Sequence, residues 1–238
     1  MTPPQPIYVL YRPLPATLLA LVLAVAGSLA GLAMGVAAAA AWGQPDPGPG
    51  VWDTANAATL TGHVAAHPYP MLLPHDGSAG VLLVGVGKVG PPGAVLALVG
   101  HGARVTGYPL ERGGLKMLEV QEATADHWPS PAPGPAVGLG VHAIATEILD
   151  SKCYLGAMKP GHGPGHKACA ILCIAGGIPP MIAWTDAAGR THHALVTGPD
   201  GGPMPEAWRP RVADRVVVRG RLTSRDGWLW MAADAPDP

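Results

Sequence analysis

Arg104-Val-Thr-Gly107-Tyr-Pro-Leu-Glu-Arg112-Gly-Gly114-Leu-Lys-Met117-Leu118 and Val217-Val-Arg-Gly220-Arg-Leu-Thr-Ser-Arg225-Asp-Gly227-Trp-Leu-Trp230-Met231 are two versions of one pattern. Under a single shift of 113 residues Val105 meets Val218, Gly107 meets Gly220, Arg112 meets Arg225 and Gly114 meets Gly227. Each version reads as strand, charged glycine-bearing turn and strand, which is a β-hairpin.

Working outward, Thr59–Ala66 and Val141–Leu149 are strand-like and correspond loosely. Further strands are expected at Val81–Val86, Met181–Thr185 and His192–Thr197. Pro92–Leu98 and Pro205–Val212 fall where a short helix or loop would bridge the third and fourth strands of each half. Five short strands with one bridge resemble a small OB-type barrel, present twice. The expected fold is therefore mainly β: one N-terminal transmembrane helix, then two tandem OB-like barrels, the second carrying a Cys/His insertion.

The expected boundaries follow. Residues 1–12 form a cytoplasmic N-terminus, 13–43 a transmembrane helix and 44–56 a linker. Residues 57–126 form the first barrel, 127–138 a Pro-rich linker and 139–235 the second barrel, with the insertion at 151–180. The first half holds His67-Pro-Tyr-Pro-Met-Leu-Leu-Pro-His75 where the second half has its insertion. One copy thus reads as scaffold and the other as the bearer of a site.

Composition agrees with a packed β-rich domain. Gly (33) and Pro (28) are abundant enough to raise disorder, but a 48% hydrophobic content and seven Trp argue for a core. The net charge of −1 supplies no basic field, so nucleic acid is not an expected partner.

Residues 13–45 carry no charge, and Ala16–Trp42 exceeds the ~20 residues needed to cross a bilayer. Tyr8, Tyr11 and Arg12 flank one end and Trp42 the other. Arg12 is the only basic residue before the run and Lys88 the next after it, which places the N-terminus in the cytoplasm. The expected location is the inner (cytoplasmic) membrane, with the soluble part in the periplasm or outside. A cleaved signal peptide is the alternative, since Ala37-Ala38-Ala39 offers cleavage sites, but the run is longer than a signal core of 7–15 residues. Gly27, Gly31 and Gly35 form a small-residue stripe on which another membrane protein subunit would pack.

All three cysteines lie in one segment, Cys153 to Cys173, together with His162 and His166. A helix over Gly165–Ala175 would put His166, Cys169 and Cys173 on one face, ended by Gly176-Gly177 and Pro179-Pro180. Cys153 lies just before a Gly/Pro/His loop able to fold back over that face. Three readings stand side by side. The first is a metal site of Cys153, His166, Cys169 and Cys173, with His162 as alternative ligand, suited to zinc or copper and less to an iron–sulfur cluster. The second is thiol redox chemistry, with Lys152, Lys167 and a helix N-terminus favouring a thiolate. The third is a disulfide staple among Cys153, Cys169 and Cys173 plus one inert thiol. The spacing C-x15-C-x3-C matches no familiar zinc pattern, which weighs toward the staple. Glu147 and Asp150 would act as acceptors behind the ligands, or as charges on the barrel rim.

The stretch Asp150-Ser-Lys-Cys-Tyr-Leu-Gly through Gly176-Gly-Ile-Pro-Pro180 resembles a segment of bacterial membrane-anchored proteins to which no named activity attaches. The resemblance implies a membrane-anchored protein and no particular chemistry. Other signals carry less. Gly85-Val-Gly87-Lys-Val-Gly90 fits G-x-G-x-x-G after an apparent strand, but Pro91-Pro92-Gly93 opens no clean helix, so a dinucleotide site is not expected. His192 and His193, adjacent in a strand, should point to opposite faces. His63, His67 and His75 suit turn and surface roles. No catalytic residue can be assigned from spacing, and the expected function is an accessory or binding protein serving a membrane electron-transfer or cofactor-assembly complex. A structural subunit or ligand-binding module is the alternative, and a thiol oxidoreductase the third reading.

Overall fold

The computed structural model describes residues 8–9, 12–43, 49–127 and 133–235. Parts of the two expected linkers and most of the N-terminal segment lie outside them. The chain divides into an N-terminal unit, Met1–Asp46, and a second unit, Pro47–Pro238. The first is dominated by helix α1 (Ala16–Trp42), 27 residues with a mean hydropathy of 2.2 over its most apolar window and no buried residue. Such a helix suits a membrane anchor or a signal sequence. Side chains added at Gly27, Gly31 or Gly35 would meet nothing within 4 Å, so the stripe is open.

The second unit is two closed five-stranded barrels of mixed strand direction. The first comprises β1 (Ala58–Ala66), β2 (Pro70–Pro74), β3 (Val81–Val84), β4 (Gly102–Arg112) and β5 (Leu115–Ala125). The second comprises β6 (Val137–Asp150), β7 (Pro180–Thr185), β8 (Thr191–Thr197), β9 (Arg215–Arg225) and β10 (Trp228–Ala233). In each, the first strand pairs with the second and fourth, and the third strand runs parallel to the fifth. Helix α2 (Gly93–Leu96) bridges β3 and β4, and a 3₁₀ segment, Glu206–Arg211, bridges β8 and β9. The two-residue strand Val51–Trp52 adds to the outside of β4.

The two decisive stretches are the β4–β5 and β9–β10 hairpins, paired Arg112 to Leu115 and Arg225 to Trp228. Their loops, Gly113-Gly114 and Asp226-Gly227, all have positive φ, between 52° and 82°. Two consecutive left-handed residues make the turn whose twist matches that of the strands, and glycine reaches that region without strain. The aligned Gly107 and Gly220 also share a reason. A Cβ on either would run into the carbonyl of the neighbouring strand, Glu119 or Ala232, so both mark close strand approach at the same place in each barrel.

One barrel strand escapes the sequence reading, and the two-residue strand Val51–Trp52 lies in the stretch read as linker. Pro70–Pro74 is β2, within the segment set aside as the counterpart of the insertion. Its prolines sit at the two ends, where a missing N–H costs a strand little. The insertion itself contains a single π-type turn, Cys153–Ala157, a 3₁₀ turn, Pro164–His166, and helix α3 (Lys167–Ala175). It leaves β6 at Asp150 and returns to β7 at Pro180.

Each barrel has its own interior: Val64, Leu72, Leu83 and Val105 in the first, Ile148, Ile182, Val196 and Met231 in the second. A third cluster joins them. Met71, Leu82 and Met117 of the first barrel pack with Leu149, Met181 and Trp228 of the second, and with Cys153, Leu155 and Cys173 of the insertion. Large side chains buried this way each contribute about 1.5–3 kcal/mol, so apolar contact holds the seam. Hydrogen bonds fix its register: Trp228 Nε1 donates to the Gly80 carbonyl (2.6 Å) and Tyr69 Oη to the Val196 carbonyl (2.7 Å). Burial pushes the Tyr69 phenol up to about 12, so it stays a donor at physiological pH.

Candidate metal and thiol site at the barrel seam

The end of β6 delivers Asp150 to the base of the insertion, where it is fully buried. Its Oδ1 accepts the Cys153 backbone N–H at 2.8 Å, and its Oδ2 lies 2.7 Å from His166 Nε2. A buried carboxylate must be matched by donors, and these two fix the start of the π-type turn and the imidazole together. With Nε2 engaged by Asp150, Nδ1 is the nitrogen left for a further bond.

Helix α3 carries Cys169 and Cys173 on the face expected from their spacing, and the turn before it brings in His166. Cys153 closes over that face, its Sγ 4.0 Å from Cys169 Sγ. The ligand atoms of Cys153, His166 and Cys169 lie within 4.8 Å of one another, as do those of Asp150, Cys153 and Cys173. Thiolates 2.3 Å from a tetrahedral zinc stand about 3.8 Å apart, which is close to the sulfur separation here. All three cysteines are free, and a disulfide would need the sulfurs at about 2.0 Å.

The cation at this site is Lys88, which sequence reasoning passed over. Its Nζ lies 2.6 Å from Cys169 Sγ and 3.7 Å from Cys173 Sγ. It reaches there because the Gly85–Gly90 loop of the first barrel packs backbone to backbone on the end of α3, with Gly90 N–H donating to the Gly176 carbonyl at 2.7 Å. A Cβ on Gly176 would fall on the Lys88 carbonyl oxygen. Gly176→Ala should therefore destabilise the protein by about 3 kcal/mol, the upper part of the overpacking range, and free Lys88 from the thiols. Chemical denaturation and thiol alkylation rates check both halves.

The lysines expected to favour a thiolate do other work. Lys152 is turned away: its Nζ donates to the carbonyls of Gly85 (2.7 Å) and Gly87 (2.8 Å) and pairs with Glu119 of β5. It pins the glycine loop, and its Nζ is engaged there and not with the thiols. Lys167 pairs with Asp214 at 2.7 Å. His162, the alternative ligand, is 38% exposed and 3.6 Å from Glu147, outside the clustered ligand atoms. Glu147 also accepts the Gly163 N–H at 3.0 Å, shaping the loop and not the thiol centre. The glycine-rich motif is thus a packing loop that presents a lysine, and no helix opens from it at the position a phosphate cradle requires.

The thiols are not equivalent. A hydrogen bond from Cys153, aided by the Lys88 charge, holds the Cys173 thiol down to about 7 against its burial. Donating that hydrogen bond, together with burial and the Asp150 carboxylate, pushes the Cys153 thiol up. Contact with Cys169 raises the Lys88 ammonium above its ordinary value. An ammonium beside soft thiolates neutralises part of their charge, whether or not they hold a metal ion.

Beside the thiols, Arg112 lies 3.9 Å over the Tyr154 ring and donates to the Tyr154 carbonyl at 3.0 Å. Tyr154 Oη is 3.1 Å from His193 Nε2. Burial, then the charges of Arg112 and His192, brings His193 down to about 4. As expected for neighbours in a strand, His192 points elsewhere, stacking on Trp184 and pairing with Asp186. Folded His193 takes up a proton only near pH 4, whereas the unfolded group does so near 6.5. The unfolded state therefore binds more protons between those values, and stability falls as pH drops from about 6.5 to about 4. The loss should be at most about 3 kcal/mol, lowered by screening of the half-buried ring. His193→Gln should flatten that part of the stability–pH profile, measured by chemical denaturation.

Comparison with protein-family models, curated proteins and solved structures finds no match for the chain.

Proposed function

We propose that the protein is a membrane-anchored accessory module that holds one soft metal ion, zinc or copper(I), outside the cytoplasm. The convergence of the Cys153, His166 and Cys169 ligand atoms within 4.8 Å carries this reading. Cys173 clusters with Cys153 and Asp150 and not within the same 4.8 Å group as His166 and Cys169, so it would have to move closer to complete a Cys₃His set; Asp150 orients His166 as carboxylates orient metal-bound imidazoles, and Lys88 offsets the excess thiolate charge. Bound there, the ion would serve as a structural clamp or as cargo.

The 1-2-3-5-4 pairing order of both barrels supports the OB-type reading, and the small-residue spacing of Gly27, Gly31 and Gly35 is the feature on which a helix partner is proposed. On this reading the anchor is uncleaved and the partner is a subunit of an electron-transfer or cofactor-assembly complex. Thiol redox is the second reading, favoured by the Lys88 contact. Metal analysis of the full chain, purified in detergent without chelator, tests the proposal. Near-stoichiometric zinc or copper is expected, whereas a metal-poor protein with a quantitatively formed disulfide would reject it. Copurification of a second subunit from mild detergent is the expected result for the partner.

A further inference from the structure

We propose that Lys88 and Cys169 form a reversible covalent cross-link through a single oxygen atom, Nζ–O–Sγ, when the metal-free protein meets peroxide. The separation of these atoms, 2.6 Å, is shorter even than the ~2.7–3.2 Å of an N–H···O bond, although sulfur is the larger atom. Ordinary single bonds from nitrogen to oxygen and from oxygen to sulfur, meeting at a normal angle, span such a gap. The two atoms stand where one bridging oxygen would hold them.

Position on the chain supports the same pair. Cys169 is the partly exposed member of the three thiols, while Cys153 and Cys173 are buried, so peroxide from solvent has its readiest access to Cys169. Lys88 is exposed and its amine already touches the sulfur that would be oxidised. A disulfide from Cys169 to Cys153 would have to close from 4.0 Å to about 2.0 Å. The Cys153 backbone is held by Asp150 and its side chain lies in the shared core, so that movement is opposed.

The chemistry balances with peroxide as the named oxidant. The Cys169 thiolate attacks one peroxide: an S–O bond forms, the O–O bond breaks and the second oxygen leaves as water, giving a sulfenic acid. A second peroxide removes one hydrogen from Nζ and one from the sulfenic oxygen and is reduced to two waters, as the N–O bond forms. Excess dithiol reverses both steps, returning the amine and the thiol. The link would tie the Gly85–Gly90 loop to α3 and withdraw Cys169 as a ligand, whether or not the metal reading holds.

Intact-mass and peptide mapping of the full chain in detergent, stripped of metal and reduced, then treated with hydrogen peroxide, tests this. The expected product gains one oxygen and loses two hydrogens, joins the peptides of Lys88 and Cys169, and reverts with dithiothreitol. Lys88→Arg keeps the charge but lacks the primary amine and should yield no such product. Loss of two hydrogens alone, as in a disulfide, would overturn the proposal. So would stepwise oxygen addition without a cross-link, or the same product in Lys88→Arg.

Discussion

Lys152→Met should cost about 3–5 kcal/mol of folding stability, the largest loss expected from any single substitution here. Lys152 and Glu119 are 2% and 4% exposed, and the ammonium satisfies two loop carbonyls besides the carboxylate. Removing it leaves a carboxylate in the seam with no counter-charge, together with two carbonyls that lose their donor. The pair itself adds little net stability, because desolvating each ion costs several kcal/mol. Its value is position: it joins β5 of the first barrel to the insertion of the second and holds the loop that carries Lys88. The double change Lys152→Met with Glu119→Leu should therefore recover most of the lost stability, yet leave Lys88 poorly held. Denaturation measures the first effect and the Cys169 alkylation rate the second. A loss below about 1 kcal/mol for the single change would show that solvent reaches Glu119 and that the seam is looser than described.

The second large effect concerns the ligands. Cys153→Ser and Cys169→Ser should each abolish stoichiometric metal binding, because each removes one of the soft donors that select zinc or copper(I). Asp150→Asn keeps the shape and a hydrogen-bond acceptor but weakens the hold on His166, and should lower affinity 10–100-fold. His162→Ala should leave affinity unchanged, since His162 stands beside Glu147 and outside the ligand cluster. Competition titration against a chromophoric chelator separates the three outcomes. Equal loss in His162→Ala and Cys153→Ser would move the site to the loop.

The two hairpins were legible because a repeat exposes its own rules. Glycines at 107 and 220, and glycine-bearing turns at 113–114 and 226–227, recur for reasons of backbone geometry that do not depend on distant partners. The helix face of His166, Cys169 and Cys173 was legible for the same reason: it is a matter of local periodicity. What the sequence concealed lies across the seam. Lys88 is 81 residues from Cys169, and Lys152 is 33 residues from Glu119. No local pattern reports that the loop of one barrel docks on the insertion of the other. Lysines 152 and 167 lie nearest the thiols along the chain, so proximity in sequence pointed to the wrong cations. The G-x-G-x-x-G run, from which no dinucleotide site was expected, has its glycines for another close approach, to Gly176 and Gly177.

The central claim, that the seam thiols and His166 form one metal centre, is tested most directly by titrating the reduced full chain with Co²⁺ or Zn²⁺ while counting free thiols. The account predicts saturation at one ion per chain, with protection of Cys153, Cys169 and Cys173 together and an absorption band of tetrahedral thiolate coordination for cobalt. Binding that leaves all three thiols reactive, or no binding by a fully reduced and folded chain, would contradict it.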